Sequence, residues 1–432
     1  MKAKVGLIFS VMPKEKPTWP YKGYDYATRV KKLSSLIREN LPDVDFVEQV
    51  LRSPEEFDEE KFKGVKVFAV VLVGIWNGVA RKIIESGKPV LLVDDLYGGS
   101  GEFLQTLGLA LRKGYRVAGV ASSNLLDSIN AIKVLSAIDL LSKSRILVVK
   151  ELEEERFNVL KENVKRTVGS ELVLISPEEL ISEYEKTSPE EARKIAEKWI
   201  EEALELVEPS EEEVVKSAKM YLAMKKLIEK YGAQAITIDC LGLFYRGKLP
   251  AYPCLGYVEL LNRGYVATCE ADIDSAITQL LIQYITGRPG FVSDPVLDQG
   301  SGYIIYAHCL AATKVYGPKG PRTPYRIRSH SEDRAGAALQ AYWPSGEPIT
   351  TVKLNLARRA MALHSGIIRD NIEEEKACRT KVAAEIDVDK IMYNWNRVVD
   401  FGWHRVSVVG NFKREFKLAA RLLGFQLIEE DS

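Results

Sequence analysis

The stretch VKVFAVVLVG, residues 65–74, decides the fold class of the first third of the chain. After its lysine it is apolar at both alternating sets of positions, which is typical of a strand covered on both faces. Four further segments share this Val-rich character: AKVGLIF (3–9), VDFVEQV (44–50), KPVLLVDDL (88–96) and YRVAGVAS (115–122). Strands of this kind form parallel sheets with helices packed on both sides.

Helix-forming segments lie between these strands, near residues 25–40, 77–87, 102–113 and 125–142. Their spacing suits right-handed βαβ units, in which a helix returns the chain to a parallel neighbour. The sequence therefore predicts a Rossmann-like, doubly wound α/β domain over residues 1–144.

A second alternation of strands and helices begins at RILVVKE (145–151). A charged helical region follows, where serines before acidic residues mark helix starts: SPEE at 53, 176 and 188, and SEEE at 210. The strand pattern returns in AQAITIDC, GYVATCE and GYIIYAHCL, which end at residues 240, 270 and 310. These segments predict a second Rossmann-like, doubly wound domain over 145–310, with helices near 254–262 and 273–286.

The composition and the hydrophobic pattern of the sequence change after residue 310. A Gly-, Pro- and Arg-rich loop precedes short β-like pieces, namely AALQAYW, ITTVKLNL, MALHSGII and HRVSVV. A helix is predicted near 412–423. We therefore expect a smaller β-rich C-terminal domain over 311–432.

The bulk composition excludes several classes of protein. The 60 basic and 60 acidic residues balance, so no global charge favours nucleic acid or an acidic membrane. The first apolar run spans only about seven residues, too short for a signal peptide, and no run reaches the roughly 18 apolar residues of a membrane span. The five cysteines are scattered and predict neither a zinc site nor a disulfide scaffold. A cytoplasmic protein is the simplest expectation.

The candidate chemistry lies in TCEADIDSA, residues 268–276. Familiar catalytic patterns such as GxxxxGK[ST], GxGxxG, GxSxG and HExxH are missing. Asp272 is well placed as the N-cap of the following helix, so helix capping does not explain Glu270. Glu270 instead ends a strand, on the side where open α/β sheets bind ligands.

Asp294 and His308 are predicted to converge with Glu270 on one edge of the same sheet. Taken alone, Asp294 before Pro295 is more often a turn residue, and a lone buried histidine such as His308 or His404 is more often part of the core. Together, carboxylates and imidazole with open positions suit Mn²⁺, Mg²⁺ or Co²⁺ better than a closed zinc site.

Three stretches carry a family resemblance: GYVATCEADIDSAITQLLIQYITGRPGFVSDP (264–295), YAHC (306–309) and GWHRVSVVG (402–410). They resemble the L-fucose isomerase and L-arabinose isomerase superfamily of ketol isomerases. The 24-residue interval from Glu270 to Asp294 is similar to the fucose isomerase branch. The first 230 residues match only in architecture.

The resemblance implies three domains and a divalent metal, usually Mn²⁺, between the second and third. The fucose branch implies Glu270, Asp294 and His404 as metal ligands. The arabinose branch, with two histidines, adds His308 as either a fourth ligand or a hydrogen-bonding neighbour.

The activity that follows is a divalent-metal-dependent aldose–ketose isomerase acting on a pentose or 6-deoxyhexose through a cis-enediol. Glu270 and Asp294 are then the acid/base pair as well as ligands. Two alternatives stay open. One is a sugar-binding or regulatory protein that lacks turnover, and the other is a metal-dependent epimerase or aldolase.

Three further residues are candidates for substrate binding. Trp76 and Trp19 follow strands of the first domain and offer aromatic faces to a sugar, although large aromatics mostly fill cores and interfaces. His330 lies in a polar loop that is either solvated or in contact with substrate. The resemblance also implies a homo-oligomer, a trimer or a hexamer, with a small sugar as the only other partner.

Overall fold

The chain forms two compact units in the computed structural model, which describes residues 1–432. The first unit comprises Met1–Ser142 and Arg414–Leu427, and the second comprises Lys143–Lys413 and Ile428–Ser432. The segment Arg414–Leu427 therefore belongs to the first unit, although the sequence placed its helix at the end of a third domain. The division into three domains stays a prediction.

The first unit is built on a five-stranded parallel sheet. Its strands are β1 (Ala3–Ser10), β2 (Val44–Leu51), β3 (Phe68–Leu72), β4 (Val90–Asp94) and β5 (Val117–Ala121). Its helices are α1 (Tyr26–Asn40), α2 (Val79–Ile84), α3 (Ser100–Arg112) and α4 (Leu125–Leu141). The order β2-β1-β3-β4-β5 is a common doubly wound order. All five predicted strands are confirmed, and every residue of β3 and β4 is buried, as the apolar pattern on both parities indicated.

The second unit opens with a smaller parallel sheet. Its strands are β6 (Arg145–Val149), β7 (Glu171–Ile175), β9 (Ala235–Ile238) and β10 (Val266–Thr268), in the order β10-β9-β6-β7. Its helices are α5 (Glu154–Val168), α6 (Pro177–Glu185), α7 (Pro189–Glu202), α8 (Glu211–Tyr231), α9 (Cys240–Phe244), α10 (Cys254–Asn262) and α11 (Ile273–Thr286). The spatial order repeats the first four strands of the first unit.

The predicted serine caps have different outcomes. Ser176, Ser188 and Ser210 each accept a hydrogen bond from the backbone N–H three residues later and begin α6, α7 and α8. Such a cap contributes about 1 kcal/mol to helix stability. Ser53 precedes only a three-residue 3-10 turn and makes no side-chain cap bond.

The helices were also compared with the length and hydropathy that a membrane span requires, and none of them meets both requirements.

A closed antiparallel barrel forms the rest of the second unit. Its strands are β11 (Phe291–Asp298), β12 (Tyr303–His308), β15 (Pro348–Asn355), β16 (Ala360–Asn371), β17 (Thr380–Glu385) and β18 (Arg405–Val409). They run in the order β15-β18-β11-β12-β17-β16, β15 pairs with β16 to close the ring, and β19 (Gln426–Glu429) lies beside β16. The second unit also contains β8 (Glu205–Leu206), β13 (Tyr325–Arg328), β14 (Ala338–Ala341) and α12 (Val388–Asn394). The last helix, α13 (Lys413–Leu423), belongs to the first unit from Arg414 onward.

The sequence placed GYIIYAHCL in the wrong sheet. This segment forms β12, which pairs antiparallel with β11 and β17 in the barrel. Only residues 299–302 connect β11 to β12, and a parallel pairing needs a crossover of about a dozen residues or more. The side chain of Asp298 caps this short turn by accepting from the backbone N–H of Gly300. The hairpin signal DQGSG was therefore present in the sequence.

Candidate functional site

Glu270 lies in a left-handed turn directly after β10. Its φ is 61° and that of Ala271 is 53°, a conformation that is uncommon for residues other than glycine. The N–H of Ala271 donates to the carbonyl of Ile238, and that of Asp272 donates to the carbonyl of Cys269. Strained backbone of this kind clusters at functional sites. The turn places a carboxylate oxygen of Glu270 3.7 Å from Nε2 of His404.

Strand register brings Asp294 and His404 together. In the pairing of β11 with β18, the last pair joins Ser293 to Arg405, so Asp294 follows it on one strand and His404 precedes it on the other. Their side chains meet with Asp294 Oδ1 3.3 Å from His404 Nε2. Two residues 110 positions apart in the chain therefore become neighbours through the barrel.

The expectation that Glu270, Asp294 and His308 share one sheet edge is wrong. Glu270 follows a strand of the parallel sheet, whereas Asp294 and His308 lie on β11 and β12 of the antiparallel barrel. The candidate site therefore lies where the two sheets of the second unit meet. The residues converge as predicted, but by a different route through the fold.

Asp272 holds the imidazole of His404 in place. Its carboxylate caps α11 by accepting from the backbone N–H of Ser275 at 2.9 Å. The same carboxylate is 2.8 Å from His404 Nδ1 and accepts from Lys353 Nζ at 2.7 Å, and Lys353 is only 3% exposed. A proton on Nδ1 directed at Asp272 leaves the Nε2 lone pair of His404 facing Asp294 and Glu270. The sequence identified Asp272 only as a helix cap.

Burial and neighbouring charge perturb the titration of these groups. Burial raises the pKa of Asp294 to about 6, and the negative charge of Glu270 acts in the same direction. Burial opposes the charged form of His404, yet the hydrogen bond to Asp272 raises its pKa overall. Burial likewise opposes ionisation of Asp272, but the bonds from His404 and Lys353 hold its pKa far below the usual range. The local field thus favours a cation beside His404 Nε2.

His308 presents its ring to the same site in another orientation. It is 4% exposed, and its Nδ1 accepts a hydrogen bond from the backbone N–H of Cys309 at 2.8 Å. Its Nε2 has no hydrogen-bond partner and lies 4.0 Å from a carboxylate oxygen of Glu270. Burial, then the nearby rings of His404 and His330, lower the pKa of His308 to about 3, so the ring is neutral.

A pocket of about 420 Å³ opens onto Glu270, Asp272, Asp294 and His404. Its lining consists of Glu270, Asp272, Asp274, Asp294, Lys353, Asn355, Asp400, Phe401, Gly402, Trp403 and His404. Sequence reasoning missed Trp403, which is 72% exposed, although an aromatic residue directly before a candidate ligand in GWHR was a usable signal. It also missed Lys353, for which the only signal is a lysine within an otherwise strand-like run.

The three predicted substrate-binding residues lie outside this lining. Trp19 and Trp76 belong to the first unit and are 53% and 54% exposed. His330 is buried rather than solvated; it stacks on Tyr252 with ring centroids 4.3 Å apart, and its Nδ1 is 3.3 Å from Asp333. Their role in substrate binding stays a prediction.

The donor atoms of this site fit a divalent metal. Ligands at about 2.1 Å from a cation and at right angles to each other are about 3 Å apart. The ligand atoms of Asp294, His308 and His404 lie within 4.8 Å of one another, and Glu270 is 3.7 Å from His404. Carboxylate and imidazole donors suit Mn²⁺, Mg²⁺ or Co²⁺. Glu270 and Asp294 each lie within 4 Å of His404 Nε2, so these three residues have the donor chemistry to hold such an ion.

Comparison with known proteins adds a functional class to this geometry. No protein-family model matches the chain. A segment of 227 residues is 26% identical to the sulfoquinovose isomerases of Priestia aryabhattai and Priestia megaterium, covering 52% of this chain and 49% of each relative. The chain thus spans about half the length of the curated relatives it matches. The similarity supports a relationship to sugar isomerases in general and gives no evidence for the fucose or arabinose type.

Proposed function

We propose that the protein is a divalent-metal-dependent aldose–ketose isomerase that converts a pentose or 6-deoxyhexose through a cis-enediol. One observation carries the proposal: Nε2 of His404 faces Asp294 and Glu270 while Asp272 holds its Nδ1. The similarity to sulfoquinovose isomerases supports the same reaction class. Mn²⁺ is the proposed ion, with Mg²⁺ or Co²⁺ as substitutes.

The carboxylates supply the acid/base chemistry. A bound divalent cation would polarise the sugar carbonyl and so make the neighbouring carbon more acidic. Burial raises the pKa of Asp294 to about 6 in the metal-free protein, and a bound cation would lower it, so the carboxylate that accepts and returns the proton would be one free of the metal. Glu270 is the second member of the pair, because its left-handed turn directs it into the same space. One carboxylate removes the proton from C2, the other donates a proton to C1, and the proton of the C2 hydroxyl passes to the oxygen on C1.

The charge of the pocket favours an uncharged sugar. Its lining contains five carboxylates and one lysine, and that lysine is already bonded to Asp272. This excess of negative charge would repel an anionic sugar. It would attract a cation and would not repel a neutral sugar. Trp403 offers an aromatic surface on which the apolar face of a neutral sugar can pack.

A turnover assay tests the proposal directly. The protein is stripped of metal, supplied with Mn²⁺, Mg²⁺ or Co²⁺, and incubated with a panel of pentoses, 6-deoxyhexoses and sulfoquinovose. Ketose formation that depends on added metal is the expected result, with Mn²⁺ most effective. Cleavage of the sugar into two smaller carbonyl compounds would indicate an aldolase. An aldose product in which one stereocentre is inverted would indicate an epimerase.

Matched variants separate the site from general damage. Glu270→Gln and Asp294→Asn should each reduce kcat by at least about 100-fold, as expected for loss of an acid/base group. Asp298→Asn, the same change at the exposed end of the same strand, should leave kcat unchanged. Sugar binding without turnover in the wild type would establish a binding protein instead.

The oligomeric state is a separate part of the proposal. Light scattering would measure the molar mass of the assembly and so test the proposed trimer or hexamer.

A further inference from the structure

The two histidines of the candidate site hold their protons on opposite nitrogens. Nδ1 of His404 faces a carboxylate, so that nitrogen carries a proton and Nε2 offers a lone pair. Nδ1 of His308 accepts from the backbone N–H of Cys309, so Nδ1 holds a lone pair and the ring proton lies on Nε2. A nitrogen that carries a proton cannot bind a metal.

The N–H of His308 is buried and unused. Nε2 has no hydrogen-bond partner in the protein, and the residue is 4% exposed. An unsatisfied buried donor costs roughly 1–3 kcal/mol, so such a group in a native site calls for a partner that comes from outside the chain.

The distance from this nitrogen to Glu270 matches the span of one bridging oxygen atom. Glu270 Oε1 lies 4.0 Å from Nε2, which is too far for a direct hydrogen bond. One oxygen atom can bridge the two groups. If it lies about 2.8–2.9 Å from Nε2 and from Oε1, and the angle between the two hydrogen bonds is roughly a right angle, the outer atoms are about 4 Å apart. The second carboxylate oxygen of Glu270 lies toward His404, so Glu270 stands between a metal-binding nitrogen and a hydrogen-bond donor.

We propose that His308 is a catalytic hydrogen-bond donor, whose Nε2–H binds an oxygen of the sugar beside Glu270, and that it is not a metal ligand. This inference rests on the proposed isomerase function and assigns a role within it. The donor stays protonated throughout and stabilises negative charge that develops on the sugar oxygen as the carbon loses its proton. A neutral imidazole is suited to this role because it donates without repelling a neighbouring cation.

Metal affinity distinguishes a donor from a ligand. His308→Asn and His404→Asn form a matched pair, and the dissociation constant for Mn²⁺ of each full-length variant is measured by calorimetry. We expect His404→Asn to weaken binding at least about 100-fold and His308→Asn to change it less than about threefold. A tenfold or greater loss in His308→Asn would overturn the proposal.

Kinetics of the metal-loaded variant give a second readout. Loss of a donor to the developing charge should lower kcat of His308→Asn by about 100-fold to 1,000-fold and change KM little. An unchanged kcat would overturn the catalytic role.

The tautomers can be read without any variant or any turnover. The chain has only four histidines, so ¹⁵N-histidine labelling of the Mg²⁺-loaded protein gives few ring signals. We expect His308 to show a protonated Nε2 and an unprotonated Nδ1, the reverse of His404. An unprotonated Nε2 on His308 would overturn the assignment even if the protein were not an isomerase. Absence of ketose formation alone would instead contradict the proposed function.

Discussion

His364 and His404 are held in similar ways in the second unit. His404 Nδ1 bonds to Asp272, which also accepts from Lys353 at 2.7 Å. His364 Nδ1 bonds at 2.9 Å to Glu430, which also accepts from Arg405 at 2.6 Å. Each imidazole is therefore fixed by a carboxylate that a cation neutralises.

The two centres differ at the other ring nitrogen. Nε2 of His364 bonds to the hydroxyl of Tyr306 at 2.8 Å, and the ring is fully buried. Nε2 of His404 faces only carboxylates at 3.3 and 3.7 Å, beside a pocket. The His364 centre is complete within the chain, whereas the His404 centre has an excess of negative charge that a cation would balance. The same arrangement of imidazole, carboxylate and cationic side chain therefore stabilises the barrel at His364 and presents a candidate metal ligand at His404.

Breaking the complete centre should have the largest effect on stability. Glu430→Gln leaves the fully buried Arg405 without its counter-charge, and we expect the free energy of unfolding to fall by about 3–5 kcal/mol. Urea denaturation at pH 7 measures this loss, and Mn²⁺ affinity of the folded fraction should not change. The control Glu385→Gln removes an exposed ion pair with Arg369 and should cost no more than about 1 kcal/mol. Equal effects of the two changes would contradict the comparison.

The pH dependence of stability should have opposite signs at the two centres. Burial opposes ionisation of Glu430, but the bonds from His364 and Arg405 lower its pKa to about 2, so its contribution is present above pH 4.5 and lost as the pH falls toward 2. Burial raises the pKa of Asp274 to about 6, so this group holds more proton in the folded metal-free protein than in the unfolded chain between about pH 4 and 6. The contribution of Asp274 to stability therefore falls as the pH rises through that window.

Asp274→Asn isolates the second of these effects. Without metal, we expect the variant to be more stable than the wild type at pH 7, by up to about 3 kcal/mol, and we expect this difference to grow as the pH rises from 4 to 6. Saturating Mn²⁺ should shrink the difference, because the cation balances the same negative charge. A wild type whose stability rises from pH 4 to 6 to the same extent as the variant would contradict the account.

Asp272→Asn tests the His404 centre, and it should also destabilise the fold because the buried Lys353 loses its counter-charge. Asparagine caps a helix about as well as aspartate, so α11 should persist, but the charge that fixes His404 is lost. We expect a 10–100-fold loss of Mn²⁺ affinity, as is typical when a carboxylate behind a metal-binding histidine is removed. Calorimetric titration measures it. A loss below about threefold would show that His404 does not depend on Asp272.

The smallest predicted effect concerns the turn that carries Glu270. Glycine at position 271 removes the steric cost of φ 53° but adds freedom to the unfolded chain, so Ala271→Gly should stabilise the protein by about 0.5 kcal/mol. The same change at Ala267 within β10 should destabilise it by about 1 kcal/mol. Thermal melts compare the two. A melting temperature lowered by Ala271→Gly would show that the turn is not strained.

Only part of the site was accessible to sequence reasoning. Glu270 stood out because it ends a strand and is not the helix cap. Asp294 was predicted beside it from the order of the strands, although the predicted sheet was wrong, and His404 joined the set of metal ligands through a family resemblance. The second role of Asp272 was hidden, because its partners Lys353 and His404 are 81 and 132 residues away in the chain. No local pattern encodes a contact of that kind.

The sequence by itself determined the strands and helices of the parallel sheets, because burial on both faces leaves an apolar run and helix starts leave a serine before acidic residues. It also placed a carboxylate at the end of β10, where ligands bind in such folds. Only the tertiary structure decided that β11 and β12 join the barrel. It also decided that His404 offers a lone pair to the site and that His308 offers a proton. These depend on strand pairing and on hydrogen bonds from distant residues, and their energies exist only after the chain has folded.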